Sequence, residues 1–330
     1  GLWGDLYKLP LSTPIKNDHY GYSVAISAES ESKYAVVGAR FNDHAGSSSG
    51  KVYVYNQNAT GEWILEQELT ASDATSGVKF GSSVAIDNNY IIVGAPEYDL
   101  FSDGRQILSK IGAGYIFYND GSMWIQEGIL IASDATSSDL VGTSVDIDAN
   151  GYAILGAPDY DGDGLVNNGK VYIFQNDNGT GTWSQHGILT PDDNKYGDKF
   201  GWSVGIYSDE YKTQAIIGAH INNDLGTNAG TAYLYDLCDD QWIQSQKLSG
   251  SDTDTDDRFG GAVAISKNEV NIGAYRKNGA IGTIYTFEYQ NLCPTTTPTI
   301  NPTQIDNTSK SNALLVQYVY FMISLIFVYL

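Results

Sequence analysis

The sequence predicts an all-β protein, a β-propeller of four-stranded blades, because several markers repeat together about every sixty residues. Tryptophans open the repeats and are separated by 60, 61, 59 and 59 residues, at Trp3, Trp63, Trp124, Trp183 and Trp242. An aromatic or apolar residue followed by glycine recurs at the same period, and so does a Gly-Ala pair. Repeated units of this length and composition are typical of propeller blades.

Each repeat is predicted to contain four short strands. The first follows the aromatic-glycine pair, as in 82–86, and the second runs into Gly-Ala, as in 90–95. The third alternates with tyrosine, as in 170–174, and the fourth opens with tryptophan, as in 63–69. Period-two alternation and many β-branched residues favour strands. Five blades are visible, either as a complete ring or as part of a larger one.

The first segment of the chain is expected to close the ring. Residues 1–9 (GLWGDLYKL) contain a tryptophan strand with no blade before it, whereas the fifth blade has none after Phe287. The first segment is therefore predicted to complete the last blade. Closure of this kind removes exposed strand edges.

Composition excludes one class of partner. The chain has 39 Asp+Glu against 18 Lys+Arg, a formal charge of −21. An acidic surface repels phosphate backbones, so no nucleic acid is expected as a partner. Aromatic residues make up 12% of the chain, which is enough to build a core.

The domain organisation predicted is a propeller over 1–290, a Thr/Pro/Asn-rich stalk over 291–312 and an apolar C-terminal helix over 313–330. Eighteen residues at about 1.5 Å rise nearly cross a hydrocarbon core of about 30 Å. The apolar segment is predicted as a membrane attachment, either a transmembrane span or the signal for a lipid (GPI) anchor. The propeller is then extracellular, at the cell surface.

Two segments resemble a known family. KFGSSVAIDNNYIIVGAP (79–96) and KFGWSVGIYSDEYKTQAIIGA (199–219) are similar to FG-GAP repeats, the units of integrin α-subunit head propellers. The resemblance covers about residues 1–290, and such propellers commonly have seven blades. The departures from the family pattern are Val141 in place of Phe, and Arg40, His220 and Tyr275 in place of the proline after Gly-Ala. The resemblance implies a propeller that binds protein ligands.

Aspartates are concentrated in loops that strand alternation places on one side of the propeller. One aspartate recurs seven residues before the aromatic-glycine pair, at Asp73, Asp134, Asp193 and Asp252. Its fixed position favours a turn-forming role. The candidate ligand-binding residues are the aspartates of the fourth such loop, Asp252, Asp254, Asp256 and Asp257.

A calcium site is predicted in the segment DYDGDG, which begins at Asp159. Alternating carboxylates followed by glycine match the opening of a calcium loop, with the candidate ligands Asp159, Asp161, Asp163 and Asn167. Hard oxygen donors suit Ca²⁺ better than transition metals. The glutamate that closes such loops is missing, since Lys170 stands at the twelfth position. A solvated acidic turn is the alternative.

Three further sequence features favour an extracellular, non-catalytic protein. Cys238 and Cys293 are predicted either to pair as a disulfide or to remain free thiols. Glycosylation sequons begin at Asn58, Asn178 and Asn307. The histidines are scattered, at His19, His44, His186 and His220, and no nucleophile with a paired base is apparent. No enzymatic activity is expected.

The function predicted is cell-surface recognition or adhesion, in which the aspartate-rich loops bind an extracellular protein or glycan, with calcium as a possible aid. Two alternatives remain open at this stage. In the first alternative, the chain is the non-catalytic propeller of a larger enzyme, such as a phospholipase. In the second, it is a structural protein of a surface coat.

Overall fold

The computed structural model describes residue 9 and residues 16–27, 33–162, 164–177, 179–289 and 293. Blade 1 contains β1 (Tyr20–Ser27), β2 (Tyr34–Ala39), β3 (Lys51–Gln57) and β4 (Trp63–Leu69). Blade 2 contains β5 (Ser83–Asp87), β6 (Tyr90–Ala95), β9 (Ala113–Asn119) and β10 (Trp124–Leu130), and its β6–β9 loop carries the hairpin β7 (Leu100–Ser102) and β8 (Arg105–Leu108).

The other three blades follow in chain order. Blade 3 contains β11 (Ser144–Ile147), β12 (Tyr152–Ala157), β13 (Lys170–Asn176) and β14 (Trp183–Leu189). Blade 4 contains β15 (Ser203–Ser208), β16 (Thr213–Ala219), β17 (Thr231–Cys238) and β18 (Gln241–Leu248). Blade 5 contains β19 (Phe259–Ile265), β20 (Glu269–Ala274) and β21 (Thr283–Glu288), with the short turn α1 (Lys277–Ala280) between the last two.

The prediction of an all-β propeller with four-stranded blades is confirmed. The strands of each blade pair antiparallel in chain order, from β1 to β4 in the first blade and likewise in the others. Blade 5 has three strands within the described part of the chain. Four short strands joined by tight turns form because apolar alternation and Gly/Asn turns recur in each repeat.

Each hydrophobic core lies between two neighbouring blades, because a sheet that is buried on both faces needs a partner on each side. Between blades 1 and 2, the core contains Val36, Val54 and Leu69 of blade 1 with Val84 and Tyr115 of blade 2. Matching clusters lie between blades 2 and 3, 3 and 4, and 4 and 5.

The aromatic-glycine pair joins each blade to the one before it. The backbone N–H of Phe80 donates to the carbonyl of Ser49 in blade 1, over 3.2 Å. The same bond joins Val141 to Ile111, Phe200 to Asn168 and Phe259 to Ala229, over 2.9 to 3.1 Å. Gly81 has φ +86°, a conformation that side chains disfavour, which explains the glycine of this marker.

The Gly-Ala marker serves the same joint. Its glycine lies against the carbonyl of the next blade's aromatic-glycine pair, and a Cβ at Gly94 would lie 2.1 Å from the oxygen of Gly142. A serine of the inner strand then donates to that carbonyl, from Ser23 to Gly81, Ser83 to Gly142, Ser144 to Gly201 and Ser203 to Gly260. The regular spacing of the markers therefore follows because the same contact between neighbouring blades forms four times.

The expected ring closure is not seen among the described residues. The inner strands of consecutive blades pack together, whereas no such packing joins the described strands of blade 5 to those of blade 1. Residues 1–8 of the expected closing strand lie outside the described part of the chain. Leu9 is described, and it packs against blade 1 beside Tyr20 and Trp63.

The predicted stalk and C-terminal helix, residues 291–312 and 313–330, also lie outside the described residues, apart from Cys293. Within the part of the chain that the structure describes, no helix has the length and apolar character needed to cross a bilayer.

Candidate functional site

Strand pairing gathers two sets of loops on one side of the propeller. Tyr20 at the start of β1 pairs with Ala39 at the end of β2, and Val52 at the start of β3 pairs with Leu69 at the end of β4. We call this side the loop face. Its loops are 40–50, 70–82, 96–112, 131–143, 158–169, 190–202, 220–230, 249–258 and 275–282.

The aspartate that recurs before each aromatic-glycine pair is held by a tyrosine of the third strand. The hydroxyl of Tyr115 donates to Asp73 over 2.9 Å, and Tyr233 donates to Asp193 over 3.0 Å. Tyr285 donates to Asp252 over 2.6 Å. Asp134 instead accepts from Lys170 Nζ over 2.8 Å. These aspartates therefore fix the loop to the third strand of the blade, and the turn-forming role expected of them stays a prediction.

A second recurrent aspartate was missed by sequence reasoning. It lies two residues before the aromatic-glycine pair and is buried in four repeats, at Asp18, Asp139, Asp198 and Asp257. In blades 1 and 4, an asparagine of the loop between the second and third strands donates to this aspartate. Asn42 donates to Asp18 over 2.5 Å, and Asn222 donates to Asp198 over 2.9 Å. The fixed spacing of this aspartate from the aromatic-glycine pair is the sequence signal by which it could have been predicted.

Burial changes the acidity of these carboxyl groups. Removal from water raises the pKa of Asp198 to about 6, against the opposing hydrogen bond from Asn222. Burial also raises the pKa of Asp139, although the backbone and hydroxyl of Thr136 donate to it. These aspartates therefore hold loops together inside the protein and offer no surface to a ligand.

The four aspartates predicted to bind a ligand lie in three different environments. Asp257 is buried and pairs with Lys277 over 2.8 Å, so it belongs to the recurrent buried position. Asp256 lies 3.6 Å from both Arg258 and Arg276. Asp252 and Asp254 are exposed on the loop face. The hydrogen bond from Tyr285 holds the pKa of Asp252 below its usual range.

The predicted calcium loop is arranged around a lysine. Lys199 Nζ forms an ion pair with Asp159 and donates to the side-chain oxygen of Asn167 over 3.1 Å. Asp161 accepts from the backbone N–H of Asn167 over 2.7 Å, and Asp163 lies outside the described residues. Across the described residues, no three acidic, histidine or cysteine side chains are placed to hold a metal. The described oxygens do not form a calcium donor set, and calcium stays a prediction.

Large apolar side chains are exposed on the loop face. Within the described residues they are Tyr22, Phe101, Ile107, Val166, Tyr196, Trp202, Leu225, Tyr275 and Ile281. The loops of the opposite face expose two such side chains in their described parts, Met123 and Tyr211. The loop-face loops are also much longer, so the two counts reflect loop length, and the feature that suits contact with another molecule is the grouping of exposed aromatic rings there.

Trp202, His220 and Tyr275 form an aromatic cluster on this face. The rings of Trp202 and His220 lie 4.1 Å apart, and those of His220 and Tyr275 lie 6.4 Å apart. His220 is buried, whereas 40% of Trp202 and 50% of Tyr275 are exposed. Burial, assisted by the charges of Arg258 and Lys199, lowers the pKa of His220 to about 3. The imidazole is therefore neutral at physiological pH.

A matching group lies in blade 1. The guanidinium of Arg40 lies 3.6 Å from the ring centroid of Tyr22 and 4.6 Å from that of Phe41. Tyr22 and Trp202 both follow the glycine of an aromatic-glycine pair, and Arg40, His220 and Tyr275 all follow Gly-Ala. The sequence analysis noted that the residue after Gly-Ala departs from proline in these repeats, but it did not predict exposed aromatic residues at either position.

The remaining predicted residues lie away from the loop face. Cys238 and Cys293 are joined by a disulfide, which ties the chain beyond β21 to blade 4. Asn58 lies in the exposed β3–β4 turn, where its side-chain oxygen accepts from Thr60 Oγ1 over 2.7 Å. The sequons at Asn178 and Asn307 lie outside the described residues.

The fold and the loop face define the class of this protein, a β-propeller whose blades serve as a scaffold for exposed loops. The chain belongs to the FG-GAP repeat family. The family model matches five repeats, over residues 3–55, 63–117, 124–174, 183–235 and 242–287. FG-GAP propellers are typically non-catalytic binding domains. A search of curated proteins finds no match to the chain.

Proposed function

We propose that the protein is a cell-surface recognition module that binds an extracellular protein ligand through its loop face. The observation that carries the proposal is the pair of half-exposed aromatic side chains Trp202 and Tyr275, whose rings both lie near the ring of buried His220. Aromatic side chains contribute large contact areas at protein interfaces and are frequent among the residues that dominate binding.

The charge distribution supports a ligand with basic groups. Exposed Asp252 and Asp254 border the same face, and the whole chain carries a formal charge of −21. Complementary charge raises the association rate and favours one partner over another more than it adds affinity. We assign the aromatic side chains to affinity and the aspartates to partner choice.

The extracellular location is supported by chemistry that the structure contains. The Cys238–Cys293 disulfide is of a kind that persists in oxidising compartments. The Asn58 sequon lies in the β3–β4 turn, where Ala59 and Thr60 are exposed and leave room for a glycan. We propose that the apolar segment 313–330 attaches the propeller to the membrane.

The experiment is a binding screen of the full chain against extracellular proteins and glycans, followed by variants. A Trp202→Ala/Tyr275→Ala double variant is expected to weaken binding at least about tenfold, since loss of two aromatic anchors costs about 2 kcal/mol or more. Tyr211→Ala is the matched control, because Tyr211 is 75% exposed on the opposite face. Equal binding by the double variant, or a loss with Tyr211→Ala alone, contradicts the proposal.

A further inference from the structure

Blades 1, 2 and 3 share a hydrogen bond on the side of the propeller opposite the loop face. In each of them a tyrosine lies four residues before the glycine of Gly-Ala, at the start of the second strand, and its hydroxyl accepts from an amide side chain. The donor and acceptor are Asn119 and Tyr34 (3.1 Å), Asn176 and Tyr90 (3.1 Å), and Gln175 and Tyr152 (2.9 Å). Each of these oxygens thus receives a donor, as oxygens away from water require.

Blade 4 departs from this arrangement. It has Gln214 four residues before Gly218, and Gln214 lies directly across the β16–β17 pair from Asp236. The two side chains are 0% and 1% exposed. Nε2 of Gln214 donates to Oδ1 of Asp236, whereas Oε1 of Gln214 and Oδ2 of Asp236 have no hydrogen-bond partner among the described residues. Blade 4 therefore buries two oxygens without a donor, and one of them belongs to a carboxylate.

The opposite orientation of the Gln214 amide does not satisfy the pair. Its oxygen would then lie against Oδ1 of Asp236, and both carboxylate oxygens would lack a donor. An ionised carboxylate and an amide oxygen can only accept. The group that this pair needs is therefore a hydrogen-bond donor or a cation.

Two neighbouring side chains that could donate are engaged elsewhere. Tyr289 of blade 5 stands where blades 2 and 3 have the donating asparagine, but its hydroxyl donates to the carbonyl of Ser266. The ammonium of Lys212 donates to the carbonyl of Lys267 and lies 4.4 Å from the ring centroid of Tyr289. Neither side chain therefore supplies the missing group.

We propose that a monovalent alkali cation, Na⁺ or K⁺, binds to Oδ2 of Asp236 and Oε1 of Gln214. Carboxylate and amide oxygens are hard donors that suit hard cations. Blade 2 has Tyr90 and Tyr118 at these two positions, with ring centroids 5.2 Å apart, and the shorter side chains of blade 4 accommodate an ion in place of a ring.

The local charge selects a monovalent ion. Asp236 is the carboxylate of the pair, and it balances one positive charge. Lys212 lies close enough for the charges of Asp209 and Asp236 to oppose the fall that burial causes in its pKa. A divalent ion would add uncompensated charge to a buried place, which is costly. Ca²⁺ also takes about six to eight oxygen ligands, whereas this pair offers two.

The cation links β16 and β17 at the ends of these strands that lie away from the loop face. Asp236 lies two residues before Cys238, whose disulfide is also on this side of blade 4. The proposed site is therefore separate from the proposed ligand surface, and its test needs no ligand.

The test is the melting temperature of the full chain in detergent, at one ionic strength, in NaCl, KCl or choline chloride. A chain with a formal charge of −21 attracts any cation, and choline controls for this attraction because it is too large for a buried site. A cation that binds only the folded state stabilises it, so Na⁺ or K⁺ should raise the melting temperature by about 2 °C or more above that in choline. The two salts distinguish between the two ions.

Variants of the pair decide whether this site is responsible. Asp236→Asn should abolish the difference between the salts. Gln214→Tyr/Asp236→Gln installs the tyrosine and glutamine of blade 3, which satisfy each other, and should abolish it as well. Glu288→Gln is the matched control, since exposed Glu288 has the register position of Asp236 in blade 5, and it should keep the difference. Equal melting temperatures of the parent in the three salts, as a bound water would give, or an unchanged difference in either variant of the pair overturns the proposal.

Discussion

The hydroxyl of Ser144 in blade 3 donates a hydrogen bond of 2.8 Å to the carbonyl of Gly201 in blade 4. Directly beside it, a Cβ on Gly156 would lie 2.0 Å from the same carbonyl oxygen. The contact between these blades therefore needs the hydroxyl of Ser144 as a donor, and it needs a glycine at position 156, where a Cβ would collide with the carbonyl. Since neighbouring blades share no strand pairing within a sheet, this joint and the apolar core around it set how one blade lies on the next.

Gly218→Ala is expected to destabilise the protein by about 1–3 kcal/mol, the usual cost of forcing extra volume into a packed interior. The added Cβ would lie 2.1 Å from the carbonyl oxygen of Gly260. Gly273→Ala is the matched control at the equivalent position of blade 5, and its urea midpoint should equal that of the parent. Equal midpoints for both variants contradict the role assigned to this glycine.

Tyr233→Phe should lower stability by about 1 kcal/mol, because it removes the hydroxyl donor of the Asp193 carboxylate, which is partly exposed and keeps its ion pair with Lys247. Tyr233 is fully buried, and burial with the nearby charge of Asp193 raises the pKa of its hydroxyl well above the ordinary range. Tyr211→Phe, at an exposed position, is the control and should leave the thermal unfolding curve unchanged. A Tyr233→Phe protein that melts like the parent rules out this anchoring role.

Stability is expected to fall as pH rises from about 4 to 7. Burial raises the pKa of Asp146 to about 7, although its carboxylate accepts backbone N–H groups of Ile206 and Ile147, and it raises the pKa of Asp148 to about 6. Through these two carboxyl groups the folded protein binds more protons than the unfolded chain in this window, and deprotonation favours unfolding. The lowered pKa of His220 acts in the opposite direction, but it is one group against two.

Asp146→Asn tests this dependence, because an amide keeps an oxygen acceptor and does not titrate. Carboxyl groups whose pKa is lowered, such as Asp134 and Asp224, destabilise the fold only below about pH 4 and so act outside the window. The measurement is the melting temperature from pH 4 to 8 for the parent and the variant. If the melting temperature changes with pH equally in the parent and the variant, Asp146 is not responsible for the pH dependence.

Loss of the Cys238–Cys293 disulfide is expected to cost about 2–4 kcal/mol, since it closes a loop of 55 residues. The effect should be local, because the bond ties the end of blade 5 to blade 4. In a Cys238→Ser/Cys293→Ser variant, hydrogen exchange should increase in β19–β21 and remain unchanged in β5–β10. Uniform loss of protection across all blades contradicts a local role.

The sequence determined the blades, because each of their requirements is local. Alternating apolar residues, the aromatic-glycine turn and the Gly-Ala strand act within a few residues of one another, and the joint that needs them repeats four times. The recurrent buried aspartates, such as Asp198, also repeat at a fixed spacing in the sequence. The spacing alone does not distinguish them from exposed aspartates, because their burial depends on the loop that folds over them.

Tertiary structure decided what the loops offer and which strands are covered. Asp257 and Asp254 lie in one run of acidic residues, yet Lys277 from another loop buries the first and leaves the second exposed. Lys199 reaches from the next blade into the loop of Asp159, which spacing alone presented as a calcium site. Val24 and Val84 have the same neighbours in sequence, and the difference between an exposed and a buried valine arises only from whether another blade packs in front.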